Sequence, residues 1–187
     1  MPKALVPLAP GCEDLEAVSI IDVLRRGGVE VVTAGTTSGP VRGARGVVFL
    51  PDAPWDEAAS SAYDLVALPG GQPGSDRLRD DPKVLRLLRG HWDGGGWVGA
   101  VCAAPRVLAA AGILSGRRAT CYPGALDHLA HGAELVDAAV VRDGRLITGR
   151  SAGVALDFGL ALVEALLGPE AREATEARLE RGGNARP

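Results

Sequence analysis

Short apolar runs alternate with segments of helical period along almost the whole chain, and this alternation restricts the fold more than any other feature. Ala4–Leu8, Val29–Ala34, Leu65–Leu68 and Trp97–Val101 read as buried strands, with Val47–Leu50 a short further one. Leu15–Arg26 reads as a helix with Leu15, Val18, Ile21 and Val23/Leu24 inward, closed by Gly27-Gly28. Pro82–His91 is a second amphipathic helix, and another begins at Arg106–Ala111. Val154–Leu167 is a long apolar helix ended by Gly168-Pro169. Ala119–Tyr122, Ala138–Arg142 and Arg145–Thr148 read as strands, the last two joined as a hairpin across Asp143-Gly144. Glu170–Arg181 is a charged helix and Gly182–Pro187 a frayed tail. Strands alternating with helices predict an α/β architecture, a mostly parallel sheet with helices on both faces. Such folds bind ligands outside the carboxyl ends of their strands.

Composition narrows the function classes. With 187 residues and 47% hydrophobic content, the chain is expected to form one domain with a sizeable core. A net charge of −3 with interspersed signs lacks the basic face of a nucleic-acid binder. No apolar run approaches membrane-spanning length, and the start of the chain lacks the pattern of a signal peptide. Three scattered cysteines, with no C-x-x-C pair and no metal-like Cys/His spacing, argue against a disulfide framework or a metal site. They point to a reducing cytoplasm.

Val98-Gly-Ala-Val-Cys-Ala-Ala-Pro105 is the segment richest in chemistry. It reads as a strand ending on Cys102 that turns at once into a helix, with Ala100, Ala103 and Ala104 leaving room and Pro105 in the first helical turn. This is the pattern of a nucleophile elbow. Nearby helix N–H groups are expected to lower the Cys102 pKa and favour the thiolate. A buried structural cysteine in an alanine-rich junction is the equal alternative from the motif alone. Other reactive residues also fall at strand ends. Cys12, Glu13 and Glu16 follow the first strand, Gly70 and Gly71 the one at 65–68, and Cys121 and Tyr122 a later one. That convergence favours the elbow.

These motifs, taken in order, resemble the ThiJ/PfpI (DJ-one) superfamily, most of all the Parkinson-associated deglycase branch and its bacterial relatives. The matching pieces are Ala4-Leu5-Val6 through Gly11-Cys-Glu-Asp-Leu-Glu16, Asp22-Val-Leu-Arg-Arg-Gly27, Leu68-Pro-Gly-Gly71, Ala100-Val-Cys-Ala-Ala-Pro105 and Phe158–Leu166. The resemblance implies a flavodoxin-like sandwich with a nucleophile elbow and no cofactor. It implies Cys102 as the oxidation-sensitive nucleophile and Glu16 as the acid that hydrogen-bonds it. The N–H groups of Gly71 and Ala103 are implied as an oxyanion hole, with Gly70 beside them. Arg26 and Arg45 match basic residues near a dimer interface and the mouth of the site, so a homodimer is expected. Two departures stand out. Ala103 occupies the position where the protease-like branch has histidine, and Tyr122, preceded by Cys121, stands where the deglycase branch often has one. His128 and His131 follow and read better as surface residues.

The resemblance therefore implies an enzyme acting on methylglyoxal-like carbonyls, as a glutathione-independent glyoxalase or a deglycase of early glycation adducts. The alternative is a redox-sensing stress protein or chaperone working through oxidation of Cys102. A cysteine peptidase is least supported, because amide cleavage needs a general acid that nothing here supplies. Cys121 carries one further expectation: if it ends a strand beside the elbow, it stands where it could capture an oxidised Cys102 as a disulfide.

Overall fold

The computed structural model describes residues 1–180. The expected tail at 182–187, and the end of the last predicted helix at Arg181, lie outside the described residues.

The chain opens with β1 (Lys3–Leu8), α1 (Asp14–Arg26) and β2 (Glu30–Gly35). A hairpin of β3 (Val41–Arg42) and β4 (Val48–Phe49) follows, then β5 (Ala53–Pro54) and the short α2 (Trp55–Ala58). Next come β6 (Leu65–Leu68), α3 (Gln72–Asp80), α4 (Pro82–Asp93), β7 (Trp97–Val101) and α5 (Pro105–Ala111). β8 (Arg118–Ala119) and β9 (Glu134–Leu135) form a separate pair, and β10 (Val140–Asp143) and β11 (Leu146–Gly149) a hairpin. A single turn at 152–154 leads into α6 (Ala155–Leu167), and α7 (Pro169–Arg178) closes the described chain.

Seven strands form the main sheet in the order β10-β11-β7-β6-β1-β2-β5. All pairings are parallel except β10 with β11. This is the expected flavodoxin-like α/β arrangement. Side chains of each strand alternate between two apolar layers. Leu5, Val66, Leu68, Val98 and Ala100 face the layer under α3, α4 and α5. Ala4, Val6, Ala67, Val101 and Ile147 face the layer under α1 and α6, where Phe158 is fully buried. Each large side chain so buried contributes about 1.5–3 kcal/mol.

Several elements differ from the sequence reading. The inward face of α1 is Ala17, Ile20, Val23 and Leu24, whereas Leu15 and Val18 are 56% and 47% exposed. Val23 and Leu24 are buried as expected, but the helix is apolar on two faces, and periodicity misplaced Leu15 and Val18. Val48–Phe49 pairs only with β3 in a hairpin outside the main sheet. Helix α3 has little apolar periodicity to announce it; Pro73 starts it and Leu78 alone anchors it in the core. The strand expected over Ala119–Tyr122 ends at Ala119. Beyond it the backbone is held by other partners: Thr120 N–H donates to Thr148 Oγ1 at 2.9 Å and Tyr122 N–H to the Cys102 carbonyl at 2.8 Å.

The chain leaves β1 toward β2 on one side and β6 toward β7 on the other. The gap beyond the carboxyl ends of β1 and β6 is therefore the topological switch point, where ligands of open α/β sheets bind.

Candidate active site

Three connections meet at that switch point: β1 to α1 brings Glu16, β6 to α3 brings Gly70 and Gly71, and β7 to α5 brings Cys102. Cys102 is one of three non-glycine described residues with positive φ, at 60°. Its N–H donates to the Gly149 carbonyl on β11 and its own carbonyl accepts from Tyr122, so both sides of the elbow are tied down. A left-handed cysteine costs about 1–2 kcal/mol relative to an unstrained backbone. The strain aims the half-buried side chain at the end of α1.

Glu16 is fully buried in the first turn of α1. Glu13, not Glu16, caps that helix, its carboxylate accepting from Glu16 N–H at 2.9 Å. Glu16 is thereby left free to face the site. Its Oε2 accepts from Gly70 N–H at 2.7 Å, and Oε1 is buried with no nitrogen or oxygen partner. Burial pushes its carboxyl up from near 4.5 to about 7, against the pull of the Cys102 thiol and Gly70 N–H.

The Cys102 thiol is pushed up to about 12, first by burial and then by the charge of Glu16 and the hydrogen bond to it. The N–H groups of Ala103 and Gly71 pull the other way. This reverses the expectation of a thiol lowered by helix N–H groups. α5 is short and starts three residues beyond Cys102, and the N–H groups that lower the thiol pKa are those of Ala103 and, from a different connection, Gly71. The two groups are coupled. Transferring the thiol proton to Glu16 leaves the net charge unchanged, removes the carboxylate charge that holds the thiol up, and turns the carboxyl into a hydrogen-bond donor toward the sulfur. A proton can thus pass between Cys102 and Glu16.

The glycines are demanded by this crowding. A Cβ on Gly70 would lie 2.6 Å from Glu16 Oε2 and 2.9 Å from Cys102 Cβ. Gly71 has φ 85°, and a Cβ there would lie 2.5 Å from Glu13 N and 2.6 Å from the Gly11 carbonyl. Only glycine lets β6 turn tightly enough to offer the Gly71 N–H to the sulfur.

The remaining candidates separate. Tyr122 is 53% exposed beside the elbow. Cys121 precedes it but packs into the α3–α5 layer, whereas Cys102 packs on the α1–α6 side, so the two thiols face different layers despite adjacent backbones. Cys12 is fully buried, and its thiol is pushed up to about 12 chiefly by burial. Arg45 is exposed close to α1, its N–H donating to Asp14 Oδ2 at 2.6 Å. Arg26 is not brought to the site: it pairs with Asp22 at the far end of α1, about 15 Å along the helix from Glu16. No histidine acts on the Cys102 thiol; His128 is exposed and His131 accepts from Ala133 N–H in its own loop. Among the described residues no cluster of His, Cys, Asp and Glu could hold a metal ion. Sequence reasoning missed Arg106 and Asp14, two buried charged residues whose roles depend on partners distant in the chain.

Known proteins share this arrangement of elements. Residues 2–165 match the model of the DJ-1/PfpI family. The chain is 44% identical over 170 residues to Protein dj-1beta of Drosophila melanogaster, covering 90% of this chain and 91% of the relative. It is 39% identical over 172 residues to the Glutathione-independent glyoxalase DJR-1.2 of Caenorhabditis elegans, covering 90% of each. The structure of oxidized Toxoplasma gondii DJ-1 superposes with a TM-score of 0.91 at 36% identity, over 96% of this chain and 98% of that one. No helix among the described residues is long and apolar enough to cross a membrane. The elbow, the fold that builds it and the match over nearly the whole length lead to one conclusion: this chain belongs to the DJ-1/PfpI family.

Proposed function

We propose that the protein is a glutathione-independent enzyme for reactive carbonyls, converting 2-oxoaldehydes such as methylglyoxal to 2-hydroxy acids, with Cys102 as nucleophile and Glu16 as proton shuttle. The observation that carries this reading is the coupled Cys102–Glu16 pair with two backbone N–H groups on the sulfur. Glu16 takes the thiol proton, and the thiolate adds to the aldehyde carbon to form a hemithioacetal. The Gly71 and Ala103 N–H groups are suited to the oxygen that gains charge, a contribution of about 3–4 kcal/mol for a well-aimed donor. Glu16 returns its proton to the adduct oxygen. Ionised again, it takes the proton of the former aldehyde carbon and delivers it to the neighbouring carbonyl carbon, while the hydroxyl proton passes from the first oxygen to the second across the enediol. The first carbon is oxidised to the thioester level as the second is reduced to the alcohol, with no external oxidant. Water releases the hydroxy acid and restores the thiol.

The glyoxalase named among the relatives supports this chemistry. A deglycase reaction on early glycation adducts would share the thiolate attack, and both suit a reducing cytoplasm, in keeping with three unpaired cysteines. We also propose a homodimer in which a second copy covers the exposed Leu15, Val18, Val48 and Leu50. The test of function is turnover of methylglyoxal to lactate by purified protein without glutathione. Activity is expected in the wild type and none in Cys102→Ala; turnover retained in that variant would overturn the assignment.

A second reading is favoured by the half-buried position of Cys102 and by the oxidized state of the Toxoplasma relative: Cys102 as a sensor that a hydroperoxide takes to the sulfinate. Loss of a protein-protective effect in Cys102→Ala while methylglyoxal turnover is absent from the wild type would favour it.

A further inference from the structure

Arg106 is 9% exposed in the first turn of α5, four residues after the nucleophile, and nothing in the proposed chemistry uses it. A buried guanidinium is costly unless its donors are engaged. Here Nη1 donates to Asp76 Oδ1 on α3 at 2.7 Å and Nη2 to the Ala125 carbonyl at 3.2 Å, while Nε is buried without a partner. Asp76 also accepts from Arg79 at 3.0 Å. Ala125 closes a turn onto Tyr122, its N–H donating to the Tyr122 carbonyl at 2.9 Å, and Tyr122 N–H donates to the Cys102 carbonyl at 2.8 Å.

The chain of contacts thus runs from α3, which follows Gly71, through Arg106 to the turn that carries Tyr122, and back to the elbow. Cys121 is turned into the α3–α5 layer, and the next side chain, Tyr122, is the large exposed group beside Cys102. Residues 120–127 form no strand or helix; Thr120, bonded to Thr148 and Ala138, and the buried Leu126 anchor the two ends of this segment, and between them the Arg106 and Cys102 bonds hold the turn that carries Tyr122. We propose that Arg106 is a positioning residue that holds Tyr122 at the mouth over Cys102, and so sets how bulky a carbonyl compound reaches the thiol.

This inference rests on the proposed role of Cys102 as nucleophile, yet its test does not need glyoxalase turnover. Alkylation of Cys102 by iodoacetamide and by a bulky biotin-maleimide is followed by peptide mass spectrometry in wild type, Arg106→Met, Tyr122→Ala and the double variant. Arg106→Met is expected to raise the bulky-to-small rate ratio roughly tenfold or more, within the roughly 10²-fold that a misplacement of about 1 Å can produce. Tyr122→Ala is expected to raise it similarly, and Arg106→Met to add nothing in the Tyr122→Ala background. A purely structural role would instead change both reagents in proportion, and that result would overturn the proposal, as would an unchanged ratio or an additive double variant. If Arg106→Met does not fold, Asp76→Asn carries the test, with a smaller rise in the same ratio expected and an unchanged ratio refuting it. In the turnover assay Arg106→Met should raise KM for methylglyoxal more than it lowers kcat. Absence of turnover in the wild type would count against the proposed reaction and leave the alkylation result to decide on Arg106.

Discussion

Glu16 should make the folded protein less stable as pH rises through neutrality. Burial lifts its carboxyl from near 4.5 to about 7. The folded state therefore binds the proton more tightly than the unfolded chain. Its favourable contribution is complete below about pH 4.5 and is lost as pH rises through 7. The full loss is about 3 kcal/mol, of which about 2 kcal/mol falls between pH 5.5 and 8.5. Glu16→Gln keeps a side-chain oxygen for the Gly70 N–H but cannot titrate. The variant's stability relative to wild type should therefore rise by about 2 kcal/mol across that range, roughly 1 M in urea midpoint for a chain of this size. Urea titrations of both proteins at several pH values measure the difference, and its pH dependence isolates the titration from any fixed cost of the amide. Parallel stability curves would show that the Glu16 carboxyl is not raised toward neutrality, and the reading of Glu16 as a group that both takes and returns protons near pH 7 would lose its basis. The same variant should lose glyoxalase turnover, because an amide cannot accept the proton of Cys102 or carry it between carbons.

Other outcomes follow from the geometry. Cys102→Gly should be more stable than Cys102→Ala by about 1 kcal/mol in chemical denaturation, because glycine alone adopts φ near 60° without strain; the reverse order would remove the elbow strain. Gly71→Ala should destabilise by roughly 1–3 kcal/mol and abolish turnover, since its Cβ meets the backbone of Gly11 and Glu13; thermal melts and the lactate assay read both. Mild peroxide should oxidise Cys102 before the fully buried Cys12 in tryptic peptides, and the opposite order would contradict their relative access. Leu15→Glu should turn the proposed dimer into a monomer by light scattering while leaving the helix intact, as Leu15 is 56% exposed in the single chain.

What the sequence alone determined were features carried by local pattern. β6 and β7 fall at the residues the apolar runs predict, because a fully buried parallel strand needs a continuous apolar run bounded by breakers. The elbow at Cys102 was legible for a similar reason, since small residues and a helix-starting proline are needed wherever a strand reverses so sharply. Pairing of Glu16 with Cys102, 86 positions apart, was reached only through resemblance; no spacing rule contains it. Tertiary structure decided the rest. It chose which of the two apolar faces of α1 goes inward, leaving Leu15 and Val18 outside. It sent Cys121 to the opposite layer from Cys102, and it left Arg26 at the wrong end of its helix to serve the site. It also set the direction of the Cys102 pKa shift, because desolvation and the Glu16 charge exist only once β1, β6 and β7 stand side by side. Backbone pattern is written in neighbouring residues, whereas burial and electrostatics depend on everything that packs around a group, and only the assembled chain supplies that.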